Sequence, residues 1–103
     1  MIIRIVIMTL KKDKIADFQC IFEQSKEAIS GFEGCLYLEL CRDTSHENVY
    51  FTYSHWTSEE ALDTYRNSQF FRSTWNEIRA LFATKAEAYS LERVYSNEHN
   101  KAL

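Results

Sequence analysis

The chain has 103 residues, 46% of them apolar, which favours a single domain with one modest core and excludes disorder across its body. Its 12 basic and 15 acidic residues give a formal net charge of -3, with no basic run longer than Lys11-Lys12 and no apolar stretch of membrane-spanning length. A nucleic-acid footprint and a membrane span are therefore not expected.

The opening, Met1-Ile-Ile-Arg-Ile-Val-Ile-Met8, is interrupted by Arg4 and lacks a small-residue cleavage site, so it reads as a first strand, Ile2 to Leu10, and not as a leader. Lys11-Lys12-Asp13 turns the chain, and Asp13 is placed to cap the next helix. Ile15, Phe18, Phe22, Ser25 and Ile29 recur at helical spacing, widened by Ile21 and Ala28 into a stripe that suits a helix lying on a sheet. Ser30-Gly31 ends that helix, with Gly31 expected in the left-handed cap position.

Cys35 to Arg42 reads as a second strand, with Leu36, Leu38 and Leu40 on one face and Tyr37, Glu39 and Cys41 on the other. The polar turn Asp43 to Asn48 leads into a third strand, Val49 to Trp56, so the two strands form a hairpin. Thr57-x-x-Glu60 matches a capping box, and Ala61, Leu62 and Tyr65 give the following helix an apolar side. Asn67 or Ser68 interrupts it and caps a further segment striped by Phe71, Trp75, Ile78 and Phe82. Lys85 to Tyr95 alternates as a fourth strand, and residues 96–103 form a polar tail after a single domain spanning 1–95.

The order is β-α-β-β-α-β, which predicts an α+β, ferredoxin-like fold: one four-stranded antiparallel sheet under two helical segments. The first strand carries Ile3, Ile5 and Ile7 on one face and Arg4, Val6 and Met8 on the other. One face serves the helices; an apolar second face marks an interface, and two such sheets stacked face to face make a homodimeric α+β barrel. Arg4 and Glu39 are expected as a structural ion pair between neighbouring strands.

Cys20, Cys35 and Cys41 are an odd set without Cys-x-x-Cys spacing, and His46, His55 and His99 form no i, i+4 pair. Neither a disulfide framework nor a metal site is expected; buried free thiols in a reducing cytoplasm are the plain reading.

The succession Gly31-Phe-Glu-Gly-Cys35, strand, polar turn, strand ending in Trp56, then Ser58-Glu-Glu-Ala-Leu62 and Asn67-Ser-Gln-Phe-Phe71, resembles the antibiotic biosynthesis monooxygenase domain family across residues 1 to 95. The resemblance implies a small dimeric α+β barrel with a ligand held between helices and sheet. The family includes cofactor-free oxygenases of quinols and anthrone-like phenols, and also haem-degrading enzymes. The haem-degrading branch relies on an asparagine, a tryptophan and a histidine at places that hold Val6, Tyr65 and Trp75 here, so haem degradation is not expected. The quinol-oxidising branch often places histidines where this chain has Tyr65 and Phe70.

What the resemblance implies is a monooxygenase without cofactor, acting on a quinol-like or polycyclic phenolic aromatic. The alternatives are a non-catalytic small-molecule binding or stress-response domain of the same fold, and an isomerase or decycling enzyme built on it. Tyr65 and His55 are the candidate catalytic residues. Tyr65 offers a hydroxyl to a phenolic ligand, and His55 is the side chain with a pKa suited to proton transfer near neutrality. Val6, Trp56, Phe70, Phe71 and Trp75 are the candidate walls, each also able to serve only as core packing. If His55 shares the interface face with Phe51 and Tyr53, it is a dimer residue instead.

Overall fold

Four segments read as strands from their alternation, and in the computed structural model, which describes residues 1–98, all four become strands. These are β1 (Ile2–Thr9), β2 (Cys35–Arg42), β3 (Val49–Trp56) and β4 (Glu87–Leu91). They form one antiparallel sheet in the order β2-β3-β1-β4. The helices are α1 (Ile15–Ser30), α2 (Glu59–Arg66) and α3 (Gln69–Arg79). The architecture is the ferredoxin-like one, with the second helical crossover divided into α2 and α3. The polar tail begins within the described residues and runs beyond them from residue 99.

The register sorts the side chains into two sets of rows, because directly paired residues share a face. On one face Leu38, Ser54, Arg4 and Ser90 line up, followed by Leu40, Thr52, Val6 and Ala88. On the other run Tyr37, His55, Ile3 and Leu91, then Glu39, Tyr53, Ile5 and Tyr89, then Cys41, Phe51, Ile7 and Glu87. The first face meets the helices. The core there joins Met8, Leu10, Phe18, Tyr50 and Ile78, with Val6, Phe22, Leu40, Trp75 and Phe82 packed around them.

Several local expectations are corrected. Lys12–Lys14 forms a 3-10 turn that takes up Asp13, and α1 starts after Lys14 with no side-chain cap. Gly31 ends α1 at an ordinary φ of -89°, and the left-handed residue is Gly34 at φ 94°. The capping side chain of α2 is Ser58, not Thr57; its Oγ accepts from the Ala61 amide at 3.0 Å. Of the two candidates at the interruption, Ser68 caps α3 through the Phe71 amide at 3.1 Å.

A bulge lies between Cys35 and Tyr37. The extra residue is Leu36, which leaves the leucine face and is 57% exposed, while Cys35 falls opposite Trp56. β1 stops one residue early: Leu10 makes only an isolated bridge to Phe82. β4 is five residues and not eleven, because its last rung pairs Leu91 with Ile3, near the start of β1, and no ladder remains beyond it. Arg4 and Glu39 lie on opposite faces of strands that are not neighbours, so they form no ion pair. The thiols are free, but Cys20 and Cys41 are exposed and only Cys35 is half-buried. Both exposed thiols sit where the fold has no second layer: Cys41 on the open sheet face and Cys20 on the outer side of α1.

Candidate active site

The helices do not close down on the whole sheet. A cavity of about 450 Å³ lies between them and the Arg4-Val6-Met8 face, within the size range of small-molecule sites. Its floor is Arg4, Val6, Met8, Leu38, Thr52, Ser54 and Trp56. Phe18 and Phe22 of α1 close one side, and Tyr65, Phe71, Trp75 and Ile78 of α2 and α3 close the other. Asp63, Arg66 and Asn67 complete the lining.

The interruption between α2 and α3 shapes one wall. Asn67 ends α2 and Ser68 starts α3; the Ser68 hydroxyl donates to the Tyr65 carbonyl at 2.6 Å while accepting from Phe71. That elbow sets the Tyr65 and Phe71 rings edge to face, with centroids 5.0 Å apart. The rings continue in both directions. Tyr65 stacks on Trp56 at 4.7 Å and receives Phe32 at 5.1 Å, while Phe71 stacks on Trp75 at 5.7 Å with planes 10° apart. Trp75 and Phe71 therefore form a wall and leave the space beside them open.

Trp56 is fully buried and anchored, its indole Nε1 donating to Ser54 Oγ at 3.0 Å. Tyr65 makes no side-chain hydrogen bond among the described residues. Burial, and more weakly the neighbouring Cys35 thiol, push its hydroxyl well above the ordinary tyrosine range. It stays protonated at neutral pH and is a hydrogen-bond donor, not a base.

Five of the seven residues singled out in the sequence, Val6, Trp56, Tyr65, Phe71 and Trp75, line this one cavity. Phe70 does not; it stands one position round α3 from the inward-facing Phe71. His55 lies on the far side of the sheet, between Tyr37 and Tyr53 with ring centroids 5.4 and 5.0 Å away, so it does not share a site with Tyr65. Its Nε2 is sealed from solvent and has no partner among the described residues. Burial, and then the charge of Arg93, lower its pKa.

Sequence reasoning missed the polar half of the cavity. Arg4 is half-buried in the floor and donates to Ser90 Oγ at 2.9 Å, and Arg66 lies 3.6 Å from Asp63 at the lining. A signal was present: an arginine on the same strand face as Val6 and Met8 is a cation on a buried face, which globular cores rarely hold without a partner. Among the described residues no cluster of His, Cys, Asp or Glu is placed to hold a metal ion, and no helix is long and apolar enough to cross a membrane.

A family model described as Antibiotic biosynthesis monooxygenase matches residues 1–77. Among solved structures, the fold is similar to Rv0793 from Mycobacterium tuberculosis, with a TM-score of 0.85 at 13% identity over 94% of this chain and 98% of that one. It is also similar to a variant of SnoaB, a cofactor-independent oxygenase from Streptomyces nogalater (TM-score 0.83, 18% identity, 94% of this chain and 96% of that one). A conserved protein from Methanosarcina mazei Go1 gives a TM-score of 0.84 at 18% identity, over 89% of this chain and 92% of that one. A search of curated proteins finds no match.

Proposed function

The chain belongs to the antibiotic biosynthesis monooxygenase family, and from that premise we propose that it is a cofactor-independent monooxygenase acting on a quinol-like or polycyclic phenolic aromatic. The observation that carries this reading is the open, aromatic-walled cavity between sheet and helices, with the protonated Tyr65 among its walls. SnoaB, a cofactor-independent oxygenase of similar fold, supports the reaction class by analogy.

The chemistry asks little of the protein. An electron-rich phenol gives up its proton to solvent as it enters, to be regained when water forms, and the resulting anion passes one electron to dioxygen. The radical pair joins as a peroxide on the ring carbon. The peroxide O–O bond breaks, one oxygen staying on the ring as a carbonyl and the other leaving as water with two hydrogens from the substrate. The residues bind the flat ring between Trp56, Tyr65, Phe71 and Trp75, keep water from it, and stabilise the anion by a hydrogen bond from Tyr65. None of these steps needs His55.

His55 belongs instead to a proposed homodimer interface. The open sheet face carries Ile5, Phe51 and Tyr53 at its centre, and Tyr37, Tyr89 and Leu91 there are 47, 48 and 44% exposed. A second copy stacked on this face would cover them and complete the barrel.

The test is oxygen uptake with a panel of quinols, naphthols and anthrones added to the purified protein. Uptake of one oxygen molecule per substrate consumed supports the reading. A panel that binds but is not oxidised refutes it and leaves a small-molecule binding domain.

A further inference from the structure

The cavity is apolar along most of its wall but not at its Arg4 end. Arg4 lies in the floor, and among the described residues it forms no ion pair; its one side-chain bond is to the neutral Ser90 hydroxyl. Most of its N–H groups are left for another acceptor. Arg66 lines the same cavity, and Asp63 is its partner at 3.6 Å. Two guanidinium groups thus share one carboxylate, a local excess of one positive charge in a protein whose net charge is -3.

The electrostatics agree with the geometry. Arg4's affinity for its proton is lowered first by burial and next by the charge of Arg66; Asp63, the weakest of the three influences, acts the other way. A half-buried cation with its donors unfilled and a second cation beside it is stabilised by an incoming anion. A neutral ligand would leave that excess positive charge uncompensated.

We propose that the cavity's ligand is a flat aromatic bearing a negatively charged oxygen, seated with that oxygen on the Arg4 guanidinium and its rings against Trp56, Tyr65, Phe71 and Trp75. The inference rests on the reading of this cavity as the ligand site, and it narrows the substrate class from any phenolic aromatic to one that is anionic when bound. The charged oxygen belongs either to a carboxylate carried on the ring system or to the phenol itself, ionised by the field of Arg4 and Arg66. In the second case Arg4 acts directly in the reaction, by holding the phenolate that dioxygen must oxidise.

Isothermal titration calorimetry with 2-naphthoate and its uncharged isostere 2-naphthamide tests the carboxylate. The parent is expected to prefer naphthoate by roughly ten-fold or more, the worth of one charge-assisted bond. Arg4→Gln should erase that preference, naphthoate losing far more affinity than naphthamide, and an unchanged circular dichroism spectrum and thermal melt show that the variant keeps its fold. Arg4→Lys should retain part of it. For the phenolate, 2-naphthol is titrated with pH and the naphtholate absorbance followed. Binding to the parent should lower the naphthol pKa, and binding to Arg4→Gln should not.

Either Arg4-dependent result supports the proposal and identifies the source of the charge. Equal binding of naphthoate and naphthamide together with an unshifted naphthol overturns it. So does a preference that survives Arg4→Gln, or no binding of any of the three at millimolar concentration. Neither measurement involves oxygen. A protein that passes them but consumes no oxygen refutes the oxygenase reading alone.

Discussion

Tyr65→Phe separates a ligand contact from a packing contact. The substitution keeps the ring, and with it the stacking on Trp56 at 4.7 Å and the edge contacts to Phe32 and Phe71 at 5.1 and 5.0 Å. Among the described residues the hydroxyl it removes holds no side-chain hydrogen bond, so no partner there is orphaned. Stability should change by less than about 0.5 kcal/mol, a melting shift within about 4 °C for a domain of this size. A hydrogen bond from Tyr65 to an anionic oxygen is worth about 1.5–3 kcal/mol. Its loss should lower kcat/KM by about ten- to hundred-fold in oxygen uptake, and calorimetric affinity for the same ligand in proportion if the bond already exists in the ground state. Removing the whole ring is the contrast: Tyr65→Ala should cost about 3–5 kcal/mol of stability. The raised pKa supplies a second readout. The folded state holds the Tyr65 proton above the ordinary value of 10, so its contribution is complete below pH 10 and is lost as the pH climbs beyond it. Tyr37 and Tyr89 are raised too, by hydrogen bonds to Glu39 and Glu87, but they are common to both proteins. The alkaline loss of stability should therefore be smaller in Tyr65→Phe. A melt lowered by more than about 8 °C, or an active parent whose kcat/KM is untouched, would refute the assignment of this hydroxyl to the ligand.

Gly34→Ala should destabilise the fold by about 2 kcal/mol or more, read as a fall in melting temperature, because φ is 94° there and a Cβ would stand 2.6 Å from Ala61 Cβ at the start of α2. Sedimentation equilibrium at micromolar concentration should give twice the chain mass, with about 1,200 Å² or more of surface buried between copies; a monomer there removes the barrel. His55 is held below its usual 6.5, so the stability it contributes is present above that pH and is lost as the pH falls through its lowered value; chemical denaturation between pH 7 and 5 should show the loss, and His55→Phe should flatten it. Haem added to the purified protein should produce no stoichiometric Soret shift and no breakdown with a reductant, since Val6 and Trp75 offer iron no ligand and the Tyr65 hydroxyl stays protonated.

The strands, the helical stripes and the β-α-β-β-α-β order were legible because each rests on a period: two for Ile3-Ile5-Ile7, and 3.6 for Phe18-Phe22 and Phe71-Trp75-Ile78. Trp56, Tyr65 and Phe71 could be gathered in advance because strand, cap and helix follow one another without a gap. What broke the reading was local geometry that leaves no periodic trace. The bulge at Leu36 shifts the phase only at the start of β2 and brings Cys35 round beside Tyr65. The left-handed residue falls at Gly34, where Ala61, far along the chain, leaves no room for a side chain, and not at Gly31. The strand order decides which charges meet, and with β3 between β1 and β2, Arg4 faces the cavity with Ser90 beside it while Glu39 faces away with Tyr37 and Cys41.

The proposed ligand site and the proposed dimer interface divide one sheet between them by the parity of its residues. The even positions of β1, Arg4, Val6 and Met8, floor the cavity, and the odd positions point to the other face, where Ile3 is buried and Ile5 and Ile7 are partly exposed. The same division runs through β3, where Ser54 and Trp56 belong to the cavity and Tyr53 and His55 to the face beyond it. A change at an odd position should act on assembly and its pH dependence, and a change at an even position on ligand binding, with coupling only through the backbone of the shared strand. The polar groups follow the same rule. On the cavity side the cation Arg4 lacks a carboxylate partner, whereas on the open side Glu39 already accepts from Tyr37 and Cys41 at 2.9 and 3.1 Å. An unfilled cation is what a site for an anion requires, and a carboxylate already satisfied by its neighbours is compatible with the proposed burial of that face against a second copy.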